Sequence, residues 1–314
     1  MIRALVSIGT NSTRLLVLDG RLRIAAESRG TRLGTGITTN GRLDPAARER
    51  TLAALDDYLA LARARGAQQI DAISTSVLRR ADDGAAFADD VARRTGIAPN
   101  VLSGVDEATY SFLGATATYD GSGTIAVLDV GGGSAELAID VPSRARERGS
   151  VARTISVEIG AVRLSERFPA LLGATALDDA ARNDLEREAR ADAAAVLAPY
   201  AQAGPFDALI AVGGTVFTAA AMVAGGLRDG AKMSAADRQG LIHALLSRDL
   251  DGRRRLEHIR PQRADILPAG LIVVDEACRL LGADHLTVSE ADLLLGYLAS
   301  PAYRAARFPV AVSR

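Results

Sequence analysis

The stretch Leu128-Asp129-Val130-Gly131-Gly132-Gly133-Ser134-Ala135-Glu136 decides the fold of this chain. It lies between the apolar runs 125–128 and 137–139, so it predicts a strand, a glycine turn and a second strand. Three successive residues without a Cβ let the backbone bend sharply and let its N–H groups approach a bulky oxyanion. The carboxylates of Asp129 and Glu136 flank the turn and are ligands for a hard cation. The stretch therefore predicts a site for Mg²⁺ and phosphate, with a plain β-hairpin as the alternative.

An internal echo of this stretch lies near the N-terminus. Residues 6–17 can be laid on residues 128–139 without a gap, and Ser12 then falls on Ser134. Repeated segments of this kind indicate duplicated supersecondary units. Two such hairpins, facing each other across a cleft, would hold a chain of phosphates from both sides. The echo therefore predicts two lobes with a phosphate site between them.

Length and composition exclude several classes of protein. A chain of 314 residues can bury more than one core, so we expect about two domains. The formal net charge of −1 gives no general basic excess, so we expect no nucleic-acid partner. No apolar run approaches the roughly 18 residues of a membrane helix, so we expect no membrane partner. The chain enters a predicted strand without a signal peptide and has the single cysteine Cys278, so we expect a cytoplasmic protein with one buried thiol.

Strands and helices alternate along the chain, which predicts the α/β class. The polar segment Asp120-Gly121-Ser122-Gly123 is the best domain boundary, so we expect lobes at residues 1–122 and 123–314, with the last helix packing back on the first lobe. Residues 178–197 have helical spacing, whereas residues 143–149 are interpreted as a charged loop.

Two further segments could contact anions. A strand over residues 206–212 leads into Gly213-Gly214-Thr215 and then a helix, and such a turn directs backbone amides at an anion. The densest basic cluster is either a solvated face or a groove for a linear polyanion. Its members are Arg253, Arg254, Arg255, Arg260 and Arg263.

Several motifs follow one another along nearly the whole chain. They are Ser7-Ile8-Gly9-Thr10-Asn11-Ser12, residues 75–81, Ser103-Gly104-Val105-Asp106-Glu107-Ala108, and residues 129–136, 160–164, 213–215 and 263–270. Their order resembles that of the exopolyphosphatase and guanosine-pentaphosphate phosphatase (Ppx/GppA) family, within the actin, sugar kinase and Hsp70 superfamily. The resemblance implies two ribonuclease-H-like (actin-like ATPase) lobes with mixed sheets flanked by helices, and an active site in the cleft between them.

The resemblance also implies an activity and a set of site residues. The expected reaction is hydrolysis of the terminal phosphoanhydride of polyphosphate by a cytoplasmic homodimer, assisted by Mg²⁺ or Mn²⁺. Glu107 matches the general base, Arg79 would neutralise the terminal phosphate, and Asp129 and Glu136 would hold the metal. The expected phosphate-binding residues are Gly9, Thr10, Asn11, Ser12, Gly131, Gly132, Gly133, Ser134, Gly213, Gly214 and Thr215.

The chain departs from the family pattern at three places. Ser7 stands where the first hairpin usually has aspartate, and it supplies no charge to a metal. Asp83 stands where asparagine is usual and would repel phosphate if it faced the cleft. Residues 289–296 lack the glycine and arginine of a frequent C-terminal motif, with Asp292 in the glycine's place. We expect a short member of the family, without additional C-terminal domains.

These departures keep several functions open. The leading hypothesis is an exopolyphosphatase. A second is removal of the 5′ γ-phosphate from guanosine pentaphosphate (pppGpp), which uses the same chemistry with another leaving group. A third is a sensor that binds polyphosphate or an alarmone and hydrolyses little, because Ser7 supplies no carboxylate. A fourth is an ATP-dependent kinase of the same superfamily.

Overall fold

The computed structural model describes residues 1–117, 119 and 121–300, and its strands form two mixed sheets. The strands are β1 (Ile2–Ile8), β2 (Thr13–Asp19), β3 (Leu22–Arg29), β4 (Gln69–Ser74), β5 (Asn100–Val101), β6 (Ile125–Val130), β7 (Ala135–Asp140), β8 (Arg153–Val157), β9 (Ala208–Val212), β10 (Lys232–Ser234) and β11 (His285–Val288).

The two sheets repeat one topology. The first has the order β3-β2-β1-β4-β5, and the second has the order β10-β11-β9-β6-β7-β8. In each sheet an antiparallel three-strand meander is followed by parallel strands that are reached through helices. Starting from the meander, the order β8-β7-β6-β9-β11 in the second sheet corresponds strand by strand to β3-β2-β1-β4-β5 in the first. The second sheet has β10 as an additional edge strand. The duplication inferred from one hairpin therefore extends over both sheets.

Helices flank both sheets. They are α1 (Ile37–Asn40), α2 (Pro45–Ala64), α3 (Ser76–Arg80), α4 (Gly84–Thr95), α5 (Gly104–Ala115), α6 (Pro142–Arg148), α7 (Ala161–Arg167), α8 (Asp179–Leu197), α9 (Gly214–Ala224), α10 (Ala235–Leu246), α11 (Leu250–Arg254), α12 (Leu267–Leu280) and α13 (Leu293–Ala299), with 3-10 turns at Pro169–Leu172, Ala198–Gln202 and Pro261–Arg263.

Local capping chemistry explains where the principal helices begin. Asp44 immediately precedes Pro45, the first residue of α2, and its side chain accepts a hydrogen bond from the amide of Ala47. Asp178 caps α8 in the same way. Ser103 forms a reciprocal capping box with Asp106 at the start of α5. These caps fix the beginning of α5, where Glu107 lies in the first turn.

Two helices cross the seam between the lobes. Helix α5 precedes the boundary placed at residue 122, yet its Phe112 packs with Ile125 of the second sheet. Helix α13 lies near the other end of the described chain and packs Leu298 against Leu5 of the first sheet. The rings of Tyr110 and Tyr297 meet edge to face at 5.1 Å and join the two helices. This exchange of helices brings the N-terminal ends of α5 and α13 to the cleft. Asp120 lies outside the described residues.

One local prediction was wrong. Residues 143–149 were expected to form a charged loop, but α6 covers nearly all of them. Proline at its first position and Gly149 in the left-handed conformation after its last residue are ordinary helix boundaries, and the charged composition obscured them. None of the helices in the described part of the chain is long and apolar enough to cross a membrane.

Candidate active site

The two glycine turns have the same geometry. In the first turn the amide of Gly9 donates to the carbonyl of Ser12 at 3.0 Å, and in the second the amide of Gly131 donates to the carbonyl of Ser134 at 3.0 Å. The strands on either side are also in matching register, because Ser7 pairs with Arg14 as Asp129 pairs with Glu136. The predicted echo is therefore a true structural repeat.

Each turn is held from behind by another segment. In the first turn the carbonyls of Thr10 and Asn11 accept from the amides of Gly34 and Arg32 at 2.8 and 2.9 Å. In the second turn the carbonyls of residues 131 and 132 accept from the amides at the start of α7. Within the described residues, the amides of residues 10, 11, 132 and 133 donate to no protein acceptor. These donors are available to an anion.

The two turns lie directly against each other. A Cβ placed on Gly133 would lie 2.7 Å from Oγ1 of Thr10 and 3.1 Å from Oγ of Ser76. A residue with a side chain at this position would therefore separate the lobes. The cleft beside the contact has a volume of about 110 Å³. The glycines of the second turn therefore serve close approach between the lobes.

The second hairpin contributes two carboxylates, of which Glu136 is buried and Asp129 is partly buried. Asp129 accepts a hydrogen bond from Oγ of Ser111 at 2.6 Å, and Glu136 accepts one from Oγ of Ser156 at 2.9 Å. Burial raises the pKa of Asp129 to about 6. Burial, reinforced by the neighbouring charges of Glu107 and Asp129, raises the pKa of Glu136 well above its ordinary value. A positive charge between these carboxylates would offset their repulsion.

These residues fit an open magnesium site. Mg²⁺ is usually bound through one or two carboxylates and completes its shell with water and substrate phosphate. Asp129 and Glu136 are cross-strand partners that both line the cleft, which meets this requirement. No cluster of three or more His, Cys, Asp and Glu side chains that could hold a metal occurs among the described residues. The donor set therefore suits a metal that keeps part of its water, not a closed protein cage.

The first hairpin differs in charge from the second. The repeat places Ser7 where the second hairpin has Asp129, and Arg14 where it has Glu136. Both Ser7 and Arg14 line the cleft. One wall of the cleft is thus acidic and suited to a cation, and the facing wall is neutral to basic.

Glu107 lies beside these walls and is held by Arg79. Nη1 of Arg79 donates to Oε1 of Glu107 at 2.6 Å and to the carbonyl of Leu102 at 2.5 Å. The glutamate is 4% exposed. Burial raises its pKa to about 7, although the hydrogen bond from Arg79 acts in the opposite direction. A carboxyl with a pKa near neutrality is suited to accept a proton from water.

The turn before α9 completes the cleft. Gly213 has a φ of 100°, which favours glycine, and a Cβ there would lie 3.0 Å from Oδ1 of Asp129. The guanidinium of Arg263 lies over Gly214, where an added Cβ would come within 2.1 Å of its Cζ. Arg263 also donates to Oγ of Ser12 at 3.4 Å. Burial lowers the pKa of Arg263 to about 10, so it remains charged at neutral pH.

The structure brings most of the predicted site residues to one cleft. The predicted residues that line it are Gly9, Thr10, Asn11, Ser12, Glu107, Asp129, Gly131, Gly132, Gly133, Ser134, Glu136, Gly213 and Gly214. Arg79 does not line the cleft and contacts Glu107 from outside. Thr215 is buried, and its Oγ1 would meet a Cβ on Gly270 of α12 at 2.5 Å.

Sequence reasoning missed the position of two arginines. The sequence analysis did not single out Arg14, although the echo aligns it with Glu136 and could have identified it. Arg263 was assigned to a basic cluster that the structure divides. Arg253 of that cluster is buried and donates to the carbonyls of Leu171, Leu245 and Arg248. Neither a solvated face nor a polyanion groove describes it, since it satisfies buried carbonyls.

Asp83 does not face the cleft. Its Oδ1 accepts from the amide of Leu43 at 3.0 Å, and its Oδ2 pairs with Arg48 at 3.3 Å. The side chain thus joins the loop before α2 to the start of α4. The repulsion of phosphate considered for this residue does not arise in the described structure.

A larger cavity of about 560 Å³ adjoins the cleft. The two share Arg14, Gly213, Gly214, Arg263 and Leu294 as lining residues. The cavity is also lined by Phe217, whose ring lies 5.3 Å from the guanidinium carbon of Arg260. The cleft and the cavity are therefore neighbours, and Arg14 and Arg263 line both.

Comparison with protein sequences gives consistent matches. A sequence model of the Ppx/GppA phosphatase family matches residues 19–302. Exopolyphosphatase 2 of Mycobacterium tuberculosis is 32% identical over 317 aligned residues, which cover 93% of this chain and 96% of that protein. A Vibrio atlanticus protein named guanosine-5′-triphosphate,3′-diphosphate pyrophosphatase is 28% identical over 294 residues, which cover 91% of this chain and 56% of that protein.

Comparison with solved structures agrees. The crystal structure of an exopolyphosphatase-like protein has a TM-score of 0.82 at 27% identity, and the match covers 95% of this chain and 96% of that one. A Ppx/GppA structure from Aquifex aeolicus has a TM-score of 0.74 at 25% identity, with coverage of 95% and 96%. The predicted fold, with two actin-like lobes of mixed sheet flanked by helices, is confirmed.

Proposed function

The chain belongs to the Ppx/GppA phosphatase family, and from this membership we propose that it is an exopolyphosphatase, which hydrolyses the terminal phosphoanhydride of inorganic polyphosphate and releases orthophosphate. The observation that carries the proposal is the position of Glu107. This buried carboxyl, with its pKa raised to about 7, lines the same cleft as the two opposed glycine turns.

The turns and Arg263 would bind the terminal phosphate. The two turns line the cleft from opposite lobes, and the guanidinium of Arg263 lies beside Ser12. Phosphoryl transfer requires mainly positioning and neutralisation of charge on the phosphate oxygens. Asp129 and Glu136 would hold Mg²⁺ or Mn²⁺, whose positive charge would add to this neutralisation.

Glu107 would act as the general base. Its carboxylate accepts a proton from a water molecule while the water oxygen forms a bond to the terminal phosphorus. The bond between that phosphorus and the bridging oxygen breaks, and the shortened polyphosphate leaves with the electron pair. Arg79 holds Oε1 of Glu107 at 2.6 Å and so orients the carboxylate toward the cleft. We propose that Arg79 positions the base, because the Nη1 that contacts Glu107 also contacts the carbonyl of Leu102.

A phosphate-release panel tests the proposal. Purified protein is supplied with tripolyphosphate, longer polyphosphate, pppGpp and ATP, each with Mg²⁺ and with Mn²⁺. We expect orthophosphate release from polyphosphate, and the variant Glu107→Gln should lose it. Glu188→Gln is the matched control, because it makes the same chemical change at an exposed position of α8. Release of no phosphate from polyphosphate of any length would refute the proposal.

Hydrolysis of pppGpp is the second candidate. The cavity of about 560 Å³ that adjoins the cleft favours it, because pockets of 300–1,000 Å³ are typical of small-molecule sites. The side-by-side rates on pppGpp and tripolyphosphate distinguish the two. Binding of both without turnover would favour a sensor, and restoration of turnover by Ser7→Asp would identify the missing carboxylate as the cause. Phosphate transfer from ATP to an acceptor would indicate a kinase.

A further inference from the structure

The cavity beside the cleft has a mixed charge with a small positive excess. It is lined by five arginines (Arg14, Arg21, Arg23, Arg260 and Arg263) and four carboxylates (Glu27, Asp229, Glu290 and Asp292). If the terminal phosphate lies between the two turns, the remainder of the substrate has to leave the cleft. The other neighbouring cavity, on the Thr10 and Gly133 side, has a volume of only about 20 Å³. The larger cavity is therefore the place for the leaving group.

The arginines nearest the cleft are not all available to an anion. Burial and then the charge of Arg14 lower the pKa of Arg260, and burial followed by the charges of Arg260 and Arg14 lowers the pKa of Arg263, so the three guanidiniums lie close together as one basic group. Nη2 of Arg14 pairs with Oδ2 of Asp292 at 2.6 Å. The side chain of Asp292 is 10% exposed and that of Arg14 is 36% exposed, so the carboxylate is largely shielded from water and the guanidinium is not. Asp292 thus neutralises one member of the basic group.

The position of Asp292 is fixed by the backbone. Its Oδ1 accepts from the amide of Leu294 at 3.1 Å and caps α13, while its Oδ2 contacts Arg14. The backbone of Arg14 is set by its register opposite Ser7 in the first hairpin. The ion pair therefore joins the first hairpin to the beginning of α13.

We propose that Asp292 is a specificity-determining residue, which pairs with Arg14 and lowers the positive charge of the leaving-group cavity, so that the enzyme discriminates against leaving groups of high negative charge. The inference rests on the proposed function, because it assigns the leaving group to that cavity. It predicts a preference for tripolyphosphate, which leaves pyrophosphate, over pppGpp, which leaves a nucleotide with two diphosphate groups.

Removal of the carboxylate charge should shift this preference. Asp292→Asn keeps the size of the side chain and an oxygen for the cap, and it releases Arg14. At the separations within one cavity, one unit charge changes the affinity for a polyanion by about tenfold per additional charge. We expect the ratio of kcat/KM for pppGpp to that for tripolyphosphate to rise by about tenfold for each charge by which the leaving group of pppGpp exceeds pyrophosphate, mainly through KM for pppGpp.

Three comparisons separate this charge effect from a structural one. Asp292→Glu keeps the charge and should retain the ratio of the natural chain. Asp251→Asn removes an equal charge from an exposed pair with Arg254 and should leave the ratio unchanged. Raising the salt concentration from about 0.1 M to about 1 M should reduce the effect of Asp292→Asn to less than about twofold, because free ions screen the charges.

The measurement also separates this inference from the proposed function. If the natural chain hydrolyses none of the substrates, the proposed function fails, and calorimetric titration of pppGpp and tripolyphosphate in EDTA still tests Asp292. If Asp292→Asn does not fold, Asp292→Ser removes the charge and retains a capping oxygen. An unchanged ratio in a folded variant, or an equal gain for both ligands, would overturn the inference.

Discussion

Replacement of Glu107 by glutamine should lower activity and raise stability at the same time. The glutamate is buried, and burial raises its pKa from 4.5 to about 7. Ionisation of Glu107, which catalysis requires, therefore destabilises the folded protein. Glutamine resembles the protonated carboxyl in size, carries no charge, and keeps an oxygen that can accept from Arg79.

The size of the stability change follows from the pKa. Folding raises the pKa of Glu107 from 4.5 to about 7. Ionisation of Glu107 therefore lowers the free energy of unfolding by about 3 kcal/mol. Because the folded pKa is the higher one, the stabilising contribution of the protonated group is complete below pH 4.5 and is lost as the pH rises through about 7. Glutamine has no such loss. The variant should be more stable than the natural chain by about 3 kcal/mol at pH 8, and the difference should disappear near pH 4.5.

The effect on turnover has the opposite sign. General base catalysis contributes about 10²- to 10⁴-fold to a rate, and Glu107→Gln should lose a factor of this size. Arg79 is not left buried without a counter-charge, because it is 26% exposed and Glu158 lies 3.8 Å away. The loss of turnover would then report the missing base and not a collapsed site.

Two assays measure the pair of effects. Denaturant unfolding in EDTA at pH 8 and pH 5 gives the stability, and phosphate release from tripolyphosphate at pH 8 gives the turnover, with Glu188→Gln as the control in both. A variant that is less stable than the natural chain at pH 8 would refute the reasoning from burial. A variant that keeps its turnover would remove Glu107 from the mechanism.

Three further predictions concern the walls of the cleft. Ser7→Asp should tighten Mn²⁺ binding by roughly tenfold in a calorimetric titration, because it adds a carboxylate to the hairpin that has none; unchanged affinity would mean that this position does not reach the metal. Gly160→Ala should lower the free energy of unfolding by about 1–3 kcal/mol and reduce turnover, because the added Cβ would lie 2.6 Å from the carbonyl oxygen of Gly131. Gly240→Ala is the control and should have neither effect, because a Cβ at this position meets nothing within 4 Å. Arg263→Gln should raise KM for tripolyphosphate by roughly tenfold with a smaller change in kcat, and an unchanged KM would contradict its role in binding phosphate.

The sequence predicted the hairpins and helix boundaries well where the signal is local. A glycine turn between two apolar runs specifies a hairpin, and the gapless echo also specified the register, since Ser7 and Asp129 occupy equivalent positions. Helix α8 begins and ends within one residue of its prediction, because Asp178 is a local capping residue. These signals depend on backbone geometry within a few residues, and this information is contained in the sequence itself.

Charge pairing could not be predicted in this way. The arginines of residues 253–263 looked alike in the sequence, yet Arg253 satisfies buried carbonyls and Arg263 lies in the cleft. Asp83 had an ambiguous direction until its contacts with Leu43 and Arg48 placed it. The partner of a long charged side chain depends on elements that folding brings together.

By itself, the sequence determined the two glycine turns, because each depends on residues that are neighbours along the chain. The echo between the turns indicated two lobes, and the resemblance to a known family indicated a candidate base at Glu107. Only the tertiary structure decided which charges meet in the cleft. Arg14 and Asp292 form an ion pair at 2.6 Å although most of the chain separates them. Their contact exists because α13 crosses the seam and packs on the first sheet. The sequence predicts that the last helix packs back on the first lobe, but no local pattern specifies which side chains it brings into contact.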